Sequence, residues 1–301
     1  DVAQLLAALD HAAVEADDDY QIAHRGLGLA TLVEANPDLL RTFAITDTDP
    51  TVIATAARQL EEALAEGGDD DPTTVATAAV VAVVAADWTR AAELLEQATA
   101  ANERAPGLTL TRSAVAIAQG DEAAAAEWLA RAIELMRPMA ASDTDRGLAA
   151  QYLTMLEWVE DQAPDRTALV EVFRDRTMRF VAEARAAQTP DVDLGPSDGP
   201  PPDAQVAVDA LDFDDGRTTV RLDVTGVAPD DQIIVAVYER PAPGAAWVQP
   251  SELFYVGVPT GGQGITLPTP RACAPTEYRV DLYVDGRPAA TTTAPGTSPT
   301  C

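Results

Sequence analysis

The chain has 301 residues, of which 47% are hydrophobic and 23% charged, and its formal net charge at pH 7 is −29. This length favours about two domains with enough apolar residues to bury a core. Because so negative a chain repels phosphate backbones and anionic lipids, nucleic acid and anionic membrane surfaces are excluded as expected partners. The charge favours solubility, attraction of cations or a basic partner instead.

Two features of the composition bear on the source and on the kind of core. Aromatic residues make up only 5% of the chain, and every basic residue is arginine. A core of Ala, Val and Leu lets helices approach closely, and the lysine-free, Ala-rich composition is typical of a GC-rich genome. We therefore expect a bacterial source, with a salt-adapted source as the alternative. Since the chain begins with Asp1 rather than Met, an upstream signal or membrane anchor that was removed is a further expectation.

Helical signals dominate the first 187 residues. Asp49-Pro50 and Asp71-Pro72 each place a capping side chain before a proline at the first helical position. The longest apolar stretch, Val75 to Ala86, is shorter than the ~20 residues that a membrane span needs. The pattern predicts helices at about 2–16, 20–35, 50–66, 72–86, 88–104, 108–119, 121–140, 145–162 and 165–187.

Part of the helical region repeats itself after 34 positions. The motif Val80-Val81-Ala82-Val83 returns as Ala114-Val115-Ala116-Ile117, and Asp87 returns as Asp121. Each copy predicts a pair of helices whose apolar face is buried only when neighbouring pairs stack. The side chains expected to pack the two copies together are Ala91, Leu95, Ala98, Ala125, Leu129 and Ala132.

This repeat resembles the tetratricopeptide repeat (TPR) family, whose unit is 34 residues long. The resemblance covers residues 72–140 and, more loosely, residues 20–66 and 145–187. Small or β-branched residues replace the large residues that the family carries in its first helix, and a generic α-solenoid is the alternative. The resemblance implies a TPR-like α-solenoid over residues 1–187 with a concave surface that binds a peptide or protein. The family's peptide-clamp motif has no match in this sequence, so no clamp residue is assigned.

The composition changes sharply at the end of the helical region. Residues 188–203 contain Pro190, Pro196 and the run Pro200-Pro201-Pro202, together with glycines. Proline cannot continue a helix, so this segment is predicted to be a semi-rigid linker.

Residues 204–301 alternate apolar and polar side chains, which is typical of strands. Asp285-Gly286 is a strong signal for a tight hairpin turn. Strands are predicted near 206–211, 220–224, 233–237, 254–258, 265–267, 278–284 and 289–293. About seven short strands favour an antiparallel β-sandwich. The segment from Tyr278 to Gly286 is similar to the closing hairpin of bacterial immunoglobulin-like accessory domains, which implies an Ig-like sandwich.

Both cysteines, Cys273 and Cys301, lie in the strand-rich part of the chain. We expect them to form one disulfide in an oxidising compartment, which stabilises the fold by about 3 kcal/mol in the chain-entropy model. Two unpaired buried thiols are the alternative. The expected location is therefore extracytoplasmic, either secreted or on the cell surface.

The sequence carries no pattern typical of a catalytic site. The nucleophile elbow, the P-loop and the dinucleotide fingerprint are all missing. His11 and His24 lack the additional ligands or bases that metal or acid–base chemistry requires, so both are interpreted as ordinary helix residues. The D-x-D-x-G spacings that begin at Asp143 and Asp191 offer oxygen ligands for Ca²⁺ but lack the terminal Glu of a twelve-residue loop. We predict no catalytic residue, no metal site and no cofactor, with calcium binding left open.

The aromatic residues Tyr238, Trp247 and Tyr255 are candidates for a binding surface, with packing in a small core as the other interpretation. Together these features favour a non-catalytic protein–protein interaction scaffold of the cell envelope. Its TPR-like groove is expected to bind a partner protein, within a multi-subunit assembly or outside one. The alternative is a carbohydrate- or ligand-binding accessory module of an extracellular enzyme or filament assembly. An enzyme that depends on His24 is the third hypothesis.

Overall fold

The computed structural model has helices in the N-terminal part of the chain and strands in the C-terminal part, which confirms the predicted order of elements. The structure describes residues 21–35, 48–137, 143–186, 203–214, 217–228, 231–240, 247, 254–256, 263–268 and 275–297. The helix predicted at 2–16 and the linker predicted at 188–203, apart from Asp203, lie outside these residues. So do Cys273, Cys301, His11 and Asp191, and the predictions made for them stay predictions.

The described helices begin and end within a few residues of their predicted positions. Their bounds are α1 (Gln21–Ala35), α2 (Pro50–Ala65), α3 (Pro72–Val84), α4 (Trp88–Ala101), α5 (Pro106–Gln119), α6 (Glu122–Met136), α7 (Asp143–Gln162) and α8 (Thr167–Ala186). Short 3₁₀ turns, Gly68–Asp70 and Pro164–Arg166, precede α3 and α8. The D-x-D-x-G spacing at Asp143 therefore lies in the first turns of α7, where the backbone is helical and forms no ion-binding loop.

The two predicted caps, in which an aspartate precedes a proline, form hydrogen bonds to the helix start. The Asp49 carboxylate accepts from the Thr51 backbone N–H at 2.8 Å, and this bond lowers the pKa of Asp49. The Asp71 carboxylate accepts from the Thr74 hydroxyl at 2.7 Å and from the Thr73 backbone N–H at 3.1 Å, and the pKa of Asp71 is likewise lowered. Each cap satisfies backbone donors that the helix itself leaves without partners, which fixes where α2 and α3 begin.

The turns α3–α4 and α5–α6 have the same hydrogen-bond pattern 34 positions apart. Asp87 N–H donates to Ala82 O and Asp121 N–H donates to Ala116 O, each at 2.9 Å. The residue before each aspartate, Ala86 or Gly120, is left-handed, with φ of 54° and 79°. Both turns are therefore Schellman motifs that end one helix and lead directly into the next.

The helices that follow these turns also start in the same way. The Asp87 carboxylate caps α4 by accepting from the Arg90 N–H at 3.1 Å, and the Asp121 carboxylate caps α6 by accepting from the Ala124 N–H at 3.0 Å. All six side chains expected to pack the two copies are buried, with at most 3% of their surface exposed: Ala91, Leu95, Ala98, Ala125, Leu129 and Ala132. Burial is thus the same at equivalent positions of the two copies, and the packing of the copies against each other through these residues stays a prediction.

Contacts along the chain divide the described residues into two compact units. The first comprises those up to Leu135 together with Trp158–Leu169, and the second comprises Met136–Glu157 and those from Val170 onward. The core of the first unit joins side chains of α1 to α5, with Trp158 packed against it. The indole N–H of Trp158 donates to Val83 O at 3.1 Å, at the end of α3.

The second unit contains two antiparallel sheets together with helical residues. The strands are β1 (Gln205–Asp214), β2 (Arg217–Thr225), β3 (Ile233–Arg240), β4 (Phe254–Val256), β5 (Gln263–Pro268), β6 (Pro275–Val284) and β7 (Arg287–Thr297). One sheet has the order β1-β2-β5 and the other β4-β3-β6-β7. The predicted turn at Asp285-Gly286 joins β6 to β7, with both residues at positive φ, 53° and 72°. These angles are typical of the tight turn that Asp-Gly favours.

Strand β3 is buried on both faces. Ile233, Val235 and Val237 belong to a hydrophobic cluster that also contains side chains of β1, β2 and β6, so the two sheets share this cluster. The residues that alternate with them, Ile234, Ala236 and Tyr238, are also fully buried. Helix α8 contacts the hairpin of the same unit, since a Cβ added at Gly286 would lie 2.8 Å from Ala182 Cβ. The domain boundaries predicted at 187 and 204 stay predictions.

Candidate functional site

An open cavity of about 570 Å³ lies among helices α4, α5 and α6 of the first unit. Its lining residues are Glu96, Thr99, Ala100, Glu103, Thr109, Arg112, Trp128 and Arg131. We call this cavity the groove. Because the second helix of one repeat and both helices of the next contribute to it, the groove depends on the stacking of the two copies.

Arg112 is held in a defined position within the groove. Its guanidinium lies over the Trp128 ring, with Cζ 3.6 Å from the ring centroid, and its Nη1 donates to Thr99 Oγ1 at 2.7 Å. Thr99 is itself fixed, because its hydroxyl donates to Leu95 O at 2.6 Å within α4. Three consecutive helices thus fix one arginine by a cation–π contact and a hydrogen bond.

Among the described residues, no carboxylate lies within ion-pair distance of the Arg112 guanidinium. Burial lowers the pKa of Arg112, and the charges of Glu96 and Glu127 oppose this effect only from a distance. Arg90 and Arg131, by contrast, are bonded to Glu61 and Glu134.

A second group of charges is buried in the other unit. Glu157 is only 4% exposed and accepts hydrogen bonds from Arg174 Nη2 and Arg279 Nη2, each at 2.7 Å. Arg279 also lies 3.3 Å from an oxygen of Asp281. The cluster joins α7 and α8 to β6, and its two carboxylates balance its two guanidinium groups. This compensation is what allows charges to stay buried, so we interpret the cluster as structural.

The pKa shifts in this cluster follow from burial and charge. Burial raises the pKa of Asp281, although Arg279 opposes the rise. Burial would lower the pKa of Arg279, but Glu157 and Asp281 outweigh it, so the pKa of Arg279 is raised. Burial, followed by the charges of Glu157 and Asp281, raises the pKa of Tyr238. For Arg279 and Tyr238 the pKa moves further from neutral pH, so neither group titrates there.

The three predicted aromatic residues do not form one exposed surface as far as they are described. Tyr238 is fully buried under Arg279, whose Cζ is 4.0 Å from the ring centroid. Trp247 is half-buried, with Arg240 Cζ 4.3 Å from its ring centroid. The backbone of Tyr255 pairs with Ile234 in the four-stranded sheet, and its side chain lies outside the described part of the structure. A binding role for Trp247 and Tyr255 stays a prediction.

His24 is buried in α1 and contacts α2. Its Nδ1 lies 2.7 Å from Gln59 Oε1 and 3.3 Å from Glu62 Oε2, and its Nε2 lies 3.5 Å from Glu66 Oε1. Within the described ranges, no group of three or more His, Cys, Asp and Glu side chains is arranged to hold a metal ion. The surroundings of His24 connect two neighbouring helices, and its interpretation as an ordinary helix residue stays a prediction.

Neither Arg112 nor Trp128 is among the candidate residues named from the sequence. The signal that identifies them is a break in the repeat, because their counterparts 34 positions earlier are the buried residues Ala78 and Leu94. Where the first copy has small or aliphatic side chains, the second has a guanidinium and an indole. The second copy therefore differs from the first at two positions that are buried in the first copy.

No family model, curated protein or solved structure matches the chain. In the part of the chain that the structure describes, no helix has both the length and the apolar character needed to cross a bilayer. The described part of the chain has helices, three of which surround the groove, followed by strands in two antiparallel sheets.

Proposed function

We propose that this chain is a non-catalytic protein–protein interaction scaffold of the bacterial cell envelope, and that the groove binds a segment of its partner. One observation carries the proposal. Arg112 is held by Thr99 and Trp128 in an open cavity, yet the described residues provide no ion pair for it. A positioned charge that has no ion pair among the described residues favours a binding role for the cavity.

The repeat geometry supports a TPR-like solenoid as the finer fold of the helical part. The α3–α4 and α5–α6 turns share their hydrogen bonds and their left-handed residue at a spacing of one TPR unit. Repeats of this kind stack into extended surfaces on which a peptide or protein binds. We assign the groove to that surface.

For the strand-rich part we propose an Ig-like sandwich that spaces or docks the helical part within an envelope assembly. The hydrophobic cluster shared by the two sheets supports a sandwich. The expected Cys273–Cys301 disulfide belongs to the same proposal, because it requires an oxidising compartment.

A groove-blocking variant tests the proposed function. Ala100→Trp places a large side chain at the exposed lining of the groove, and Ala54→Trp makes the same change at an exposed position of α2 outside it. We expect the immobilised full chain to retain a defined partner from extracts of its source, with Ala100→Trp losing this partner and Ala54→Trp keeping it. Equal retention by both variants would contradict a role for the groove.

The carbohydrate-binding alternative has less support. Trp247 is the described aromatic residue on which it depends, and Arg240 already lies over its ring. A sugar would need a free aromatic face there, so the groove is the better candidate for a binding site.

A further inference from the structure

We propose that the groove recognises a carboxylate that lies beside a basic side chain in the bound segment. In this arrangement Arg112 binds the carboxylate, and Glu96 and Glu103 attract the basic group. The inference rests on the proposed function and specifies the chemistry of the bound segment.

The geometry of Arg112 suits a carboxylate. A guanidinium has five N–H donors in a planar fork that matches the two oxygens of a carboxylate. Among the described residues, only Thr99 Oγ1 accepts a hydrogen bond from this guanidinium, and the contact with Trp128 fixes the orientation of its plane. Because the fork is oriented in advance, a ligand need not order the side chain on binding.

The electrostatic balance of Arg112 also favours an anionic ligand. Burial lowers its pKa, so the charged form loses solvation without gaining a close counter-ion. A bound carboxylate would supply the missing counter-ion. Arg131 lines the same cavity, but it is exposed and already pairs with Glu134 at 3.3 Å, so Arg112 is the better anchor.

The acidic residues at the edge of the groove disfavour a purely acidic ligand. Glu96 and Glu103 line the cavity and are exposed, and the whole chain has a net charge of −29. This field repels an acidic segment and attracts a basic one as it approaches. In a segment with a carboxylate beside a basic side chain, the carboxylate can pair with Arg112 and the basic group with Glu96 or Glu103.

Short labelled peptides test the inference with the full chain. The first probe is a capped peptide with one glutamate between two arginines, the second has glutamine in place of that glutamate, and the third has glutamine but a free C-terminal carboxylate next to arginine. Fluorescence anisotropy gives the affinity of each. We expect the glutamate probe to bind about tenfold more tightly than the glutamine probe. Tight binding of the third probe instead would identify a terminal carboxylate as the source of the same chemistry.

Three variants assign the effect to the groove. Arg112→Gln should remove the preference for the carboxylate, whereas Arg90→Gln, on α4 outside the groove lining, should leave it unchanged. Because Arg112→Gln also loses packing on Trp128, its folding is checked by circular dichroism. The double variant Glu96→Gln/Glu103→Gln changes only exposed residues and should weaken binding of the arginine-flanked probes.

The outcomes separate this inference from the proposed function. Equal affinity for the glutamate and glutamine probes, or an unchanged preference in Arg112→Gln, would overturn the inference. If no probe binds, the inference also fails. The scaffold proposal nevertheless stands if the native chain retains its natural partner and the Ala100→Trp variant loses it.

Discussion

Ala86 and Gly120 occupy the same left-handed position in two helix–helix turns that lie 34 positions apart. Each N–H donates to the carbonyl three residues earlier, at 3.0 Å for Ala86 and 2.9 Å for Gly120. Their φ angles, 54° and 79°, lie in the region where a Cβ is unfavourable. The first copy of the repeat therefore carries a strained residue where the second carries glycine.

Replacing Ala86 with glycine should stabilise the protein. Relief of the left-handed strain is worth about 1 kcal/mol, which corresponds to a rise of about 2 °C in the melting temperature for a unit of this size. Thermal unfolding followed by far-UV circular dichroism measures the change. The neighbouring Ala85 has φ of −77°, so Ala85→Gly serves as the control and should lower stability instead.

The converse change in the second copy should be destabilising. Gly120→Ala adds a Cβ at positive φ and also places it 2.8 Å from Arg166 Cζ. We expect a loss of about 1 kcal/mol or more in the free energy of unfolding. Opposite signs for the two substitutions would support equivalent turns, and the same sign would contradict them.

Removal of Glu157 should strongly destabilise the second unit. Glu157→Ala leaves Arg174 and Arg279 without the carboxylate that both contact at 2.7 Å, and breaking a buried pair in this way costs about 3 kcal/mol or more. Urea unfolding measures the loss. Glu183 pairs with Arg179 on α8 but is exposed, so Glu183→Ala should cost less than about 1 kcal/mol. Similar losses for the two variants would show that Glu157 is not a buried partner.

The burial of β3 on both faces was partly predictable from the sequence. Residues from Ile233 to Tyr238 form an uninterrupted apolar run, which is typical of a strand buried on both faces, whereas the alternate residues alone suggest one buried face. The sequence gives no indication of which element covers the second face. Glu157 and Arg279 are 122 positions apart, and no local pattern connects them.

The stability that the Asp71 cap contributes should depend on pH. Its pKa is lowered in the folded chain from the ordinary value of 3.8, mainly by the bond from the Thr74 hydroxyl. A group of this kind stabilises the fold above 3.8, and its contribution is lost as the pH falls through the lowered pKa. At about pH 6, the free energy of unfolding of the native chain should therefore be about 0.5 kcal/mol higher than that of the Asp71→Asn variant.

This difference should close as the pH falls below 3.8 and through the lowered pKa of Asp71, where the carboxylate becomes protonated. Urea unfolding across the pH range measures it. Asp70→Asn is the matched control, because Asp70 is an exposed residue in the adjacent 3₁₀ turn. A difference that stays constant with pH would mean that the charge of Asp71 is not involved.

Helix ends were predictable to within a few residues because caps are local. An aspartate before a proline fixes its helix start with bonds to the next two or three residues, as at Asp49 and Asp71. The groove was not predicted, because Arg112 and Trp128 meet only after α5 and α6 pack side by side. Comparison of the two repeat copies with each other, rather than with the family pattern, would have identified both positions.

The predicted disulfide has a direct chemical test. Intact-mass measurement of the denatured, unreduced chain should show Cys273 and Cys301 blocked to alkylation, and reduction should free both thiols. Cys301→Ser should then lower the free energy of unfolding by about 3 kcal/mol. Alkylation of both cysteines without prior reduction would contradict the disulfide and the oxidising compartment that it implies.

Site-specific photo-crosslinking tests the central claim most directly. A photoreactive residue is placed at Ala100, in the groove, or at Ala54, which is also an exposed alanine and lies on α2 of the same unit, and the full chain is irradiated in its native source. The account predicts a crosslink from Ala100 to one defined segment of one partner protein, competed away by a synthetic peptide of that segment, and no such product from Ala54. Crosslinks of equal yield from both positions, or none from Ala100, would contradict it.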